Sequence, residues 1–243
     1  MVDRSLLRLS STLVVIGVVL FAIVTLFHAD GPANNHHVVF AEYAHSASWI
    51  PVHLLQFVFM AVLLVGLFVL SFALNVRSGA FGWMDRFAAV SAMVALALYG
   101  GIQAVNGVAL KHAVDAWVNA PEAEKTTRFA SAETVRWLEW GMNSYQLFMF
   151  ALALILLASV IVGTARVPRA IGYLMGLAAV PLFVQSQVIG TSGFSVPLLA
   201  GSLSAVALPL MLAWSIWLLI VAWRMEEADQ PGKGQPERGP TTT

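Results

Sequence analysis

The stretch PVHLLQFVFMAVLLVGLFVLSFALNV, residues 51–76, decides the fold, because it runs its whole length without one Asp, Glu, Lys or Arg. The hydrocarbon core of a bilayer is about 30 Å thick and takes about 20 apolar residues of helix. Backbone N–H and C=O groups are too costly to leave unpaired in lipid, so a run of this kind crosses as a helix. Working outward, five more runs meet the same demand: Ser10 to Phe27, Phe87 to about Leu110, Trp137 to Thr164, Ala170 to Ile189, and Val196 to Trp223. The expected fold is all-α, a polytopic membrane bundle of about six transmembrane helices spanning residues 1–224. Between the runs lie a long segment from His28 to Ile50, a second from Lys111 to Arg136, and short turns. The stretch 225–243 is rich in Pro and Gly and has no apolar face to bury, which predicts a disordered cytoplasmic tail.

Composition agrees. Hydrophobic residues make up 59% of the 243 residues and charged ones 11%, which are membrane rather than soluble-domain values. Formal net charge is zero and the pI is near 7.0, so there is no basic surface to grip nucleic acid. Cysteine is absent, which excludes disulfide frameworks, thiolate metal sites and cysteine nucleophiles. Arg4 and Arg8 precede the first run as in a secretory leader, but the run is too long for one and no Ala-x-Ala site follows. It reads as a retained first helix.

Basic residues are kept in cytoplasmic loops. With both termini inside, Arg4, Arg8, Arg77, Arg86, Arg166, Arg169, Arg224, Lys233 and Arg238 fall in the cytoplasm, against Lys111, Lys125, Arg128 and Arg136 outside. This N-in, C-in topology suits a multi-pass protein of a bacterial inner membrane. No internal repeat emerges. Gly172 with Gly176, and Gly201 with Ala205, are small-residue pairs suited to close helix packing, and Pro181 and Pro209 should bend helices five and six.

In this topology all six histidines lie on the outer side, and five of them occur between His28 and His53, interleaved with Asp30 and Glu42. Imidazole and carboxylate together suit a borderline metal, so His36, His37, His45 and Glu42 form a candidate metal set, although their spacing matches no metal motif. The same residues could instead be an ordinary polar loop or a pH-responsive cluster. The fourth run carries a polar stripe: at about 100° per residue, Arg136, Glu139, Asn143 and Gln146 fall within an arc of about 80°. Gln103 and Asn106, with Lys111 and Asp115, share a face of the third run. His53 and Gln56 are neighbours on the second, and Gln185 lies on the fifth. Counting inward from the arginines puts these groups of four helices at one depth, in the outer leaflet, and predicts a shared cavity. The bland alternative is that Arg136 pairs with Glu139 and the amides merely tie helices together.

The segments WIPVHLLQF (Trp49 to Phe57), QAVNGVALKHAVDAW (Gln103 to Trp117) and AETVRWLEWGMNSYQ (Ala132 to Gln146) resemble those of uncharacterised bacterial six-helix membrane proteins of the domain-of-unknown-function type. The resemblance covers most of the chain except the tail. It implies that His53, Asn106, Lys111, Arg136, Glu139 and Asn143 belong to the motif-bearing parts of such proteins, and it implies no activity.

Three functional readings follow. In the first, the cavity binds a divalent metal, a haem or a small amphiphilic ligand, with His53, Gln56, Gln103, Asn106, Asn143 and Gln146 as binding residues. A haem held by two histidines would have to use His53 and His112. In the second, the protein is an enzyme at the outer surface, with Glu139 as acid or base and Arg136 or Lys111 steadying an anion. In the third, it is an accessory subunit whose polar stripes dock a partner membrane protein.

Overall fold

The computed structural model describes residues 2–29, 31–32, 34–194 and 197–225, and all regular structure among them is helical. Residues 226–243 of the tail read as disordered, Asp30, and the surroundings of Gly201 in the Gly201 and Ala205 pair lie outside what is described. Six helices are long and apolar enough to cross a membrane. They are α1 (Arg4–Thr25), α3 (Trp49–Leu74), α4 (Gly79–Val118), α5 (Glu122–Thr164), α6 (Arg169–Ser192) and α7 (Pro197–Arg224), and a short helix α2 (His36–His45) precedes α3.

Local chemistry sets the ends. The Asp3 carboxylate accepts from the Leu6 N–H at 3.0 Å to cap α1, and the Asn35 side chain accepts from the Val38 N–H at 3.4 Å to cap α2. Asn75 and Ala165 take left-handed backbone conformations, φ 51° in both, and end α3 and α5 ahead of tight turns. Both turns lie at the end of the bundle that carries the arginines. There Arg8 donates to the carbonyls of Ala222 and Met225, each at 3.2 Å, while Arg86 donates to the Arg77 carbonyl and Arg169 to the Val162 carbonyl, both at 3.1 Å. Guanidinium groups thus satisfy carbonyls that helix termini leave open.

Each spanning helix packs against the next, and α7 returns to α1, so the six close into a ring. A close backbone seam joins α1 to α3. A Cβ on Gly17 would stand 2.6 Å from the Leu63 backbone nitrogen, and one on Gly66 would stand 2.8 Å from the Val14 side chain. Ser10 Oγ crosses the same seam to the Gly66 carbonyl at 2.8 Å. Gly172 of the expected small-residue pair likewise packs on α5, where its Cβ would meet the Ala158 carbonyl oxygen at 2.9 Å. Both α6 and α7 continue through Pro181 and Pro209. The outward faces keep large apolar side chains such as Leu54, Val90, Leu138 and Leu177, as lipid contact requires.

Two segments differ from the expectation. Lys111 to Arg136, expected as a segment between the third and fourth runs, is itself largely helical: α4 continues through it to Val118, the chain turns at residues 119–121, and α5 begins at Glu122. At 1.5 Å per residue, α4 and α5 are about 60 and 65 Å long, twice a hydrocarbon core, so a helical hairpin projects from the end opposite the arginines. The charges that interrupt the apolar pattern here fall beyond the lipid, where a helix tolerates them. The His28 to Ile50 segment contains α2, which lies on this hairpin. Val39, Phe40 and Tyr43 of α2 form a second core with Trp49, Leu110, Val114 and Ala132, flanked by Trp117 and Phe129.

Candidate functional site

Within α4, residues Gln103–Leu110 wind as a π-helix. A run with i→i+5 hydrogen bonds widens the helix and changes which side chains share a face. The Asn106 carbonyl in this run accepts the Trp49 indole N–H at 3.0 Å. Gly107 sits against His53, whose Cβ would be 2.7 Å from a Cβ placed there, so the absent side chain is what lets α3 approach. The π segment presents Gln103 and Asn106 inward, and Leu110, with Lys111 and Val114 of the α-helical turns that follow it, lies towards α2 and the projecting hairpin.

A cavity of about 540 Å³ lies inside the ring, lined by residues of all six spanning helices. Most of its wall is apolar, from Val18 and Phe21 of α1 to Ala207 and Met211 of α7. Its polar wall is a band of carboxamides: Gln56 of α3, Gln103 and Asn106 of α4, Asn143 and Gln146 of α5, and Gln185 of α6. The depth-matched stripes of four helices do converge. Gln56 donates to Thr25 Oγ1 at 3.3 Å, and Gln103 is hydrogen-bonded to the Tyr99 hydroxyl. Gln103 Oε1, Asn106 Oδ1 and Gln146 Nε2 are buried and have no hydrogen-bond partner in the protein. No Asp, Glu, Lys or Arg lines the space, and His28 is its one histidine among the described residues.

The expected acid and base residues stand beside the cavity rather than in its wall. Arg136 Nη1 donates to Glu139 Oε2 at 2.8 Å, with the two side chains 4% and 2% exposed. Asn143 hydrogen-bonds the same carboxylate, which joins the pair to the amide band. The Arg136 guanidinium lies over the rings of Tyr43 and Phe194, 5.7 and 5.0 Å from their centroids. Lys111 is committed elsewhere: its three ammonium N–H groups have three acceptors, the carbonyls of Tyr43 (3.1 Å) and Ala44 (2.7 Å) and Asp115 Oδ1 (2.8 Å). It clamps the last turn of α2 and has no N–H left to steady an anion.

The histidines are dispersed. His36 Nδ1 meets Glu133 Oε1 at 2.8 Å, tying α2 to α5. His37 stacks on Phe129 with centroids 4.0 Å apart, and His45 Nδ1 bonds the Ala41 carbonyl of its own helix. Glu42 and His45 are exposed. No three His, Asp or Glu among the described residues are grouped to hold a metal ion. His53 is 2% exposed and packs on Trp49 and His28, with centroids 4.4 and 5.0 Å away, whereas His112 is exposed on the projecting part of α4. The two do not flank a common space that a haem could fill.

Of the residues expected to bind a ligand, Gln56, Gln103, Asn106, Asn143 and Gln146 line the cavity, and His53 lines a separate groove between α3 and α4. Sequence reasoning missed Tyr99 and Thr25, although Tyr99 stands one turn before Gln103 and extends the same face. It also missed Phe194, which links the cavity wall to Arg136. No protein-family model, curated protein or solved structure matches the chain.

Proposed function

We propose that this membrane protein binds an uncharged, hydrogen-bonding amphiphile in the cavity enclosed by its six spanning helices. The observation that carries the reading is the band of carboxamides, Gln56, Gln103, Asn106, Asn143, Gln146 and Gln185, around a largely apolar space of about 540 Å³. A space of this size suits a small organic molecule, since ligand sites fall between about 300 and 1,000 Å³. Amide groups on an apolar wall are costly unless hydrogen-bonded, and a ligand group that pairs with them recovers that cost. Carboxamides both donate and accept, which fits hydroxyl and carbonyl groups. A lining without ionised side chains gives no counter-charge to a carboxylate, phosphate or ammonium. Glu139 is outside the wall and already holds Arg136 and Asn143, so the geometry favours binding over acid-base catalysis.

The arginine-rich end would face the cytoplasm of a bacterial inner membrane, and the cavity and projecting hairpin would lie towards the outer leaflet. Mass spectrometry of the protein released intact from mild detergent tests the reading. The expected result is a bound neutral molecule of a few hundred daltons that is absent from the Asn106→Leu/Gln146→Leu double variant. Recovery of only charged ligands, or of the same neutral molecule from the double variant, would overturn it.

A further inference from the structure

On the α3 and α5 sides the cavity is sealed at its outer end. His53 and Trp49 of α3 stand one and two turns outward of Gln56, and Glu139 and Arg136 of α5 stand one and two turns outward of Asn143. All four side chains are buried. Tyr43 of α2 bridges the two sets, its ring centroid 4.0 Å from that of Trp49 and 5.7 Å from the Arg136 guanidinium. These groups shield the amide band from the outer aqueous side.

The seam between α1 and α7 is different. Of the described side chains that line the cavity, those that are also exposed are Thr25 and Leu26, at the end of α1, and Leu208 of α7. Leu26 is 82% exposed and Leu208 40%. Side chains that border both the cavity and the exterior mark a mouth. The exterior here is lipid, because Leu208 lies within a spanning segment and the exposed neighbours Val19, Ile23 and Val206 are all apolar. At the arginine end the same two helices are tied, by Arg8 bonded to the carbonyls of Ala222 and Met225 and standing 5.4 Å from the Trp223 ring. Ala22 is as many residues from Arg8 as Leu208 is from Ala222, so both lie about 21 Å beyond that tie and level with one another. The amides reach this level too: Thr25 Oγ1 accepts from Gln56 Nε2 at 3.3 Å and donates to the Phe21 carbonyl at 2.8 Å.

We propose that the cavity opens sideways to the bilayer between α1 and α7 and takes its ligand from the lipid phase. The ligand is then an uncharged lipid whose head meets the amide band while its chain lies in the mouth along Ile23, Val206 and Leu208. An apolar rim admits such a head and opposes a charged one, which would lose its hydration with nothing to replace it. The choice of ligand rests on the reading of the cavity as a binding site, whereas the mouth does not.

The test uses the full chain in phosphatidylcholine vesicles and exploits its lack of cysteine. Met60 of α3 lines the cavity and is buried, so Met60→Cys places a single thiol inside. Relative to their rates with free cysteine, lipid-dissolved N-phenylmaleimide should label it at least about tenfold faster than a sulphonated maleimide supplied on both faces. Ala22→Trp and Leu208→Trp, which fill the mouth from opposite helices, should each slow the lipid-dissolved reagent by a similar factor at the parent Tm. Equal labelling by the two reagents, or an unslowed rate in either tryptophan variant of parent Tm, overturns the mouth. Lipid-stripped protein should also load a chain-bearing neutral lipid from vesicles doped with the neutral-lipid extract of its native membrane, and the tryptophan variants should load it more slowly. Loading at the parent rate in both variants overturns the route, and a water-soluble solute found in the cavity instead overturns the choice of a lipid. Thiol labelling as expected with nothing loaded would sink the reading of the cavity as a ligand site while leaving the mouth standing.

Discussion

Arg136 and Glu139 form an ion pair one helical turn apart on α5, at 2.8 Å and almost wholly out of contact with solvent. Each needs the other: taking either charge away leaves its partner desolvated and uncompensated, which typically destabilises a protein by about 3–5 kcal/mol. Glu139→Leu alone should therefore lower Tm sharply, and Arg136→Met alone should do the same. The Arg136→Met/Glu139→Leu double variant should regain most of the loss, because apolar groups of similar volume replace the pair. A double variant that melts no higher than the worse single one would show that the pair is not the unit of stability. Because neither residue lines the cavity, the double variant should still retain ligand, and loss of ligand at normal Tm would return Glu139 to the site.

Lys111 predicts a local effect. Its contacts hold the carboxyl end of α2, so Lys111→Met should release that helix without unfolding the spanning bundle. Hydrogen exchange of residues 36–45 should accelerate by at least about tenfold, as expected when charge-assisted hydrogen bonds of about 1.5–3 kcal/mol are removed. Exchange in the membrane-embedded part of α3 should stay unchanged. Uniform loss of protection across α2 and α3 would show that Lys111 supports the whole fold rather than clamping the cap.

The contrast between Lys111 and the amides marks what the sequence made legible. Spanning helices follow from lipid physics alone, and Gln56, Gln103, Asn106, Asn143 and Gln146 could be placed together because depth in a membrane can be counted from the arginine end. Lys111 belongs to a segment that leaves the lipid, where counting no longer applies and its polarity resembles that of a loop. The π segment has no signature legible in the sequence, and the groups it packs on, the Trp49 indole and the His53 ring against Gly107, belong to another helix. The loop histidines suggested a metal by their number, but their partners, Glu133 for His36 and Phe129 for His37, come from about ninety residues further along the chain. Gly17 and Gly66 are single glycines in different helices and carry no pair signature.

Those two glycines give a sharp stability test. Gly17→Ala would press a Cβ to 2.6 Å from backbone, which cannot move without separating α1 from α3. Overpacking of this kind costs about 1–3 kcal/mol or more. Gly141 of α5 has nothing within 4 Å of its Cβ position, so Gly141→Ala should be neutral or stabilise by up to about 1 kcal/mol through helix propensity. Thermal melting of the two variants in one detergent should move them in opposite directions, and a Gly17→Ala protein as stable as the parent would refute the close seam.

Orientation can be read with single cysteines, since the chain has none of its own. Ser78→Cys, in the turn at the arginine end, should react with a membrane-impermeant maleimide only after cells are opened. His112→Cys, exposed on the projecting α4, should react in intact cells. The reverse pattern would place the cavity and hairpin on the cytoplasmic side and overturn the topology argued from the basic residues.

The amide band makes a last prediction in which stability and binding move apart. Gln146 is 2% exposed and its Nε2 has no partner in the protein, so the side chain is held in the wall at a cost in stability. Leucine has similar reach and no polar atom to satisfy. Gln146→Leu should therefore stabilise the ligand-free protein, by about 1–3 kcal/mol if the full penalty of the unpaired amide is recovered. The same variant should lose the rise in Tm that a cavity ligand gives, because that rise follows the ratio of ligand concentration to Kd and the amide is part of what sets Kd. Melting curves of parent and variant, each stripped of lipid and then supplied with the extracted neutral fraction, separate the two effects. If the amide were only a structural tie between helices, its removal would lower Tm in the stripped protein and leave the ligand-dependent rise intact. A stabilised variant that no longer responds to the extract is the outcome expected of a residue kept for its ligand at the expense of the fold.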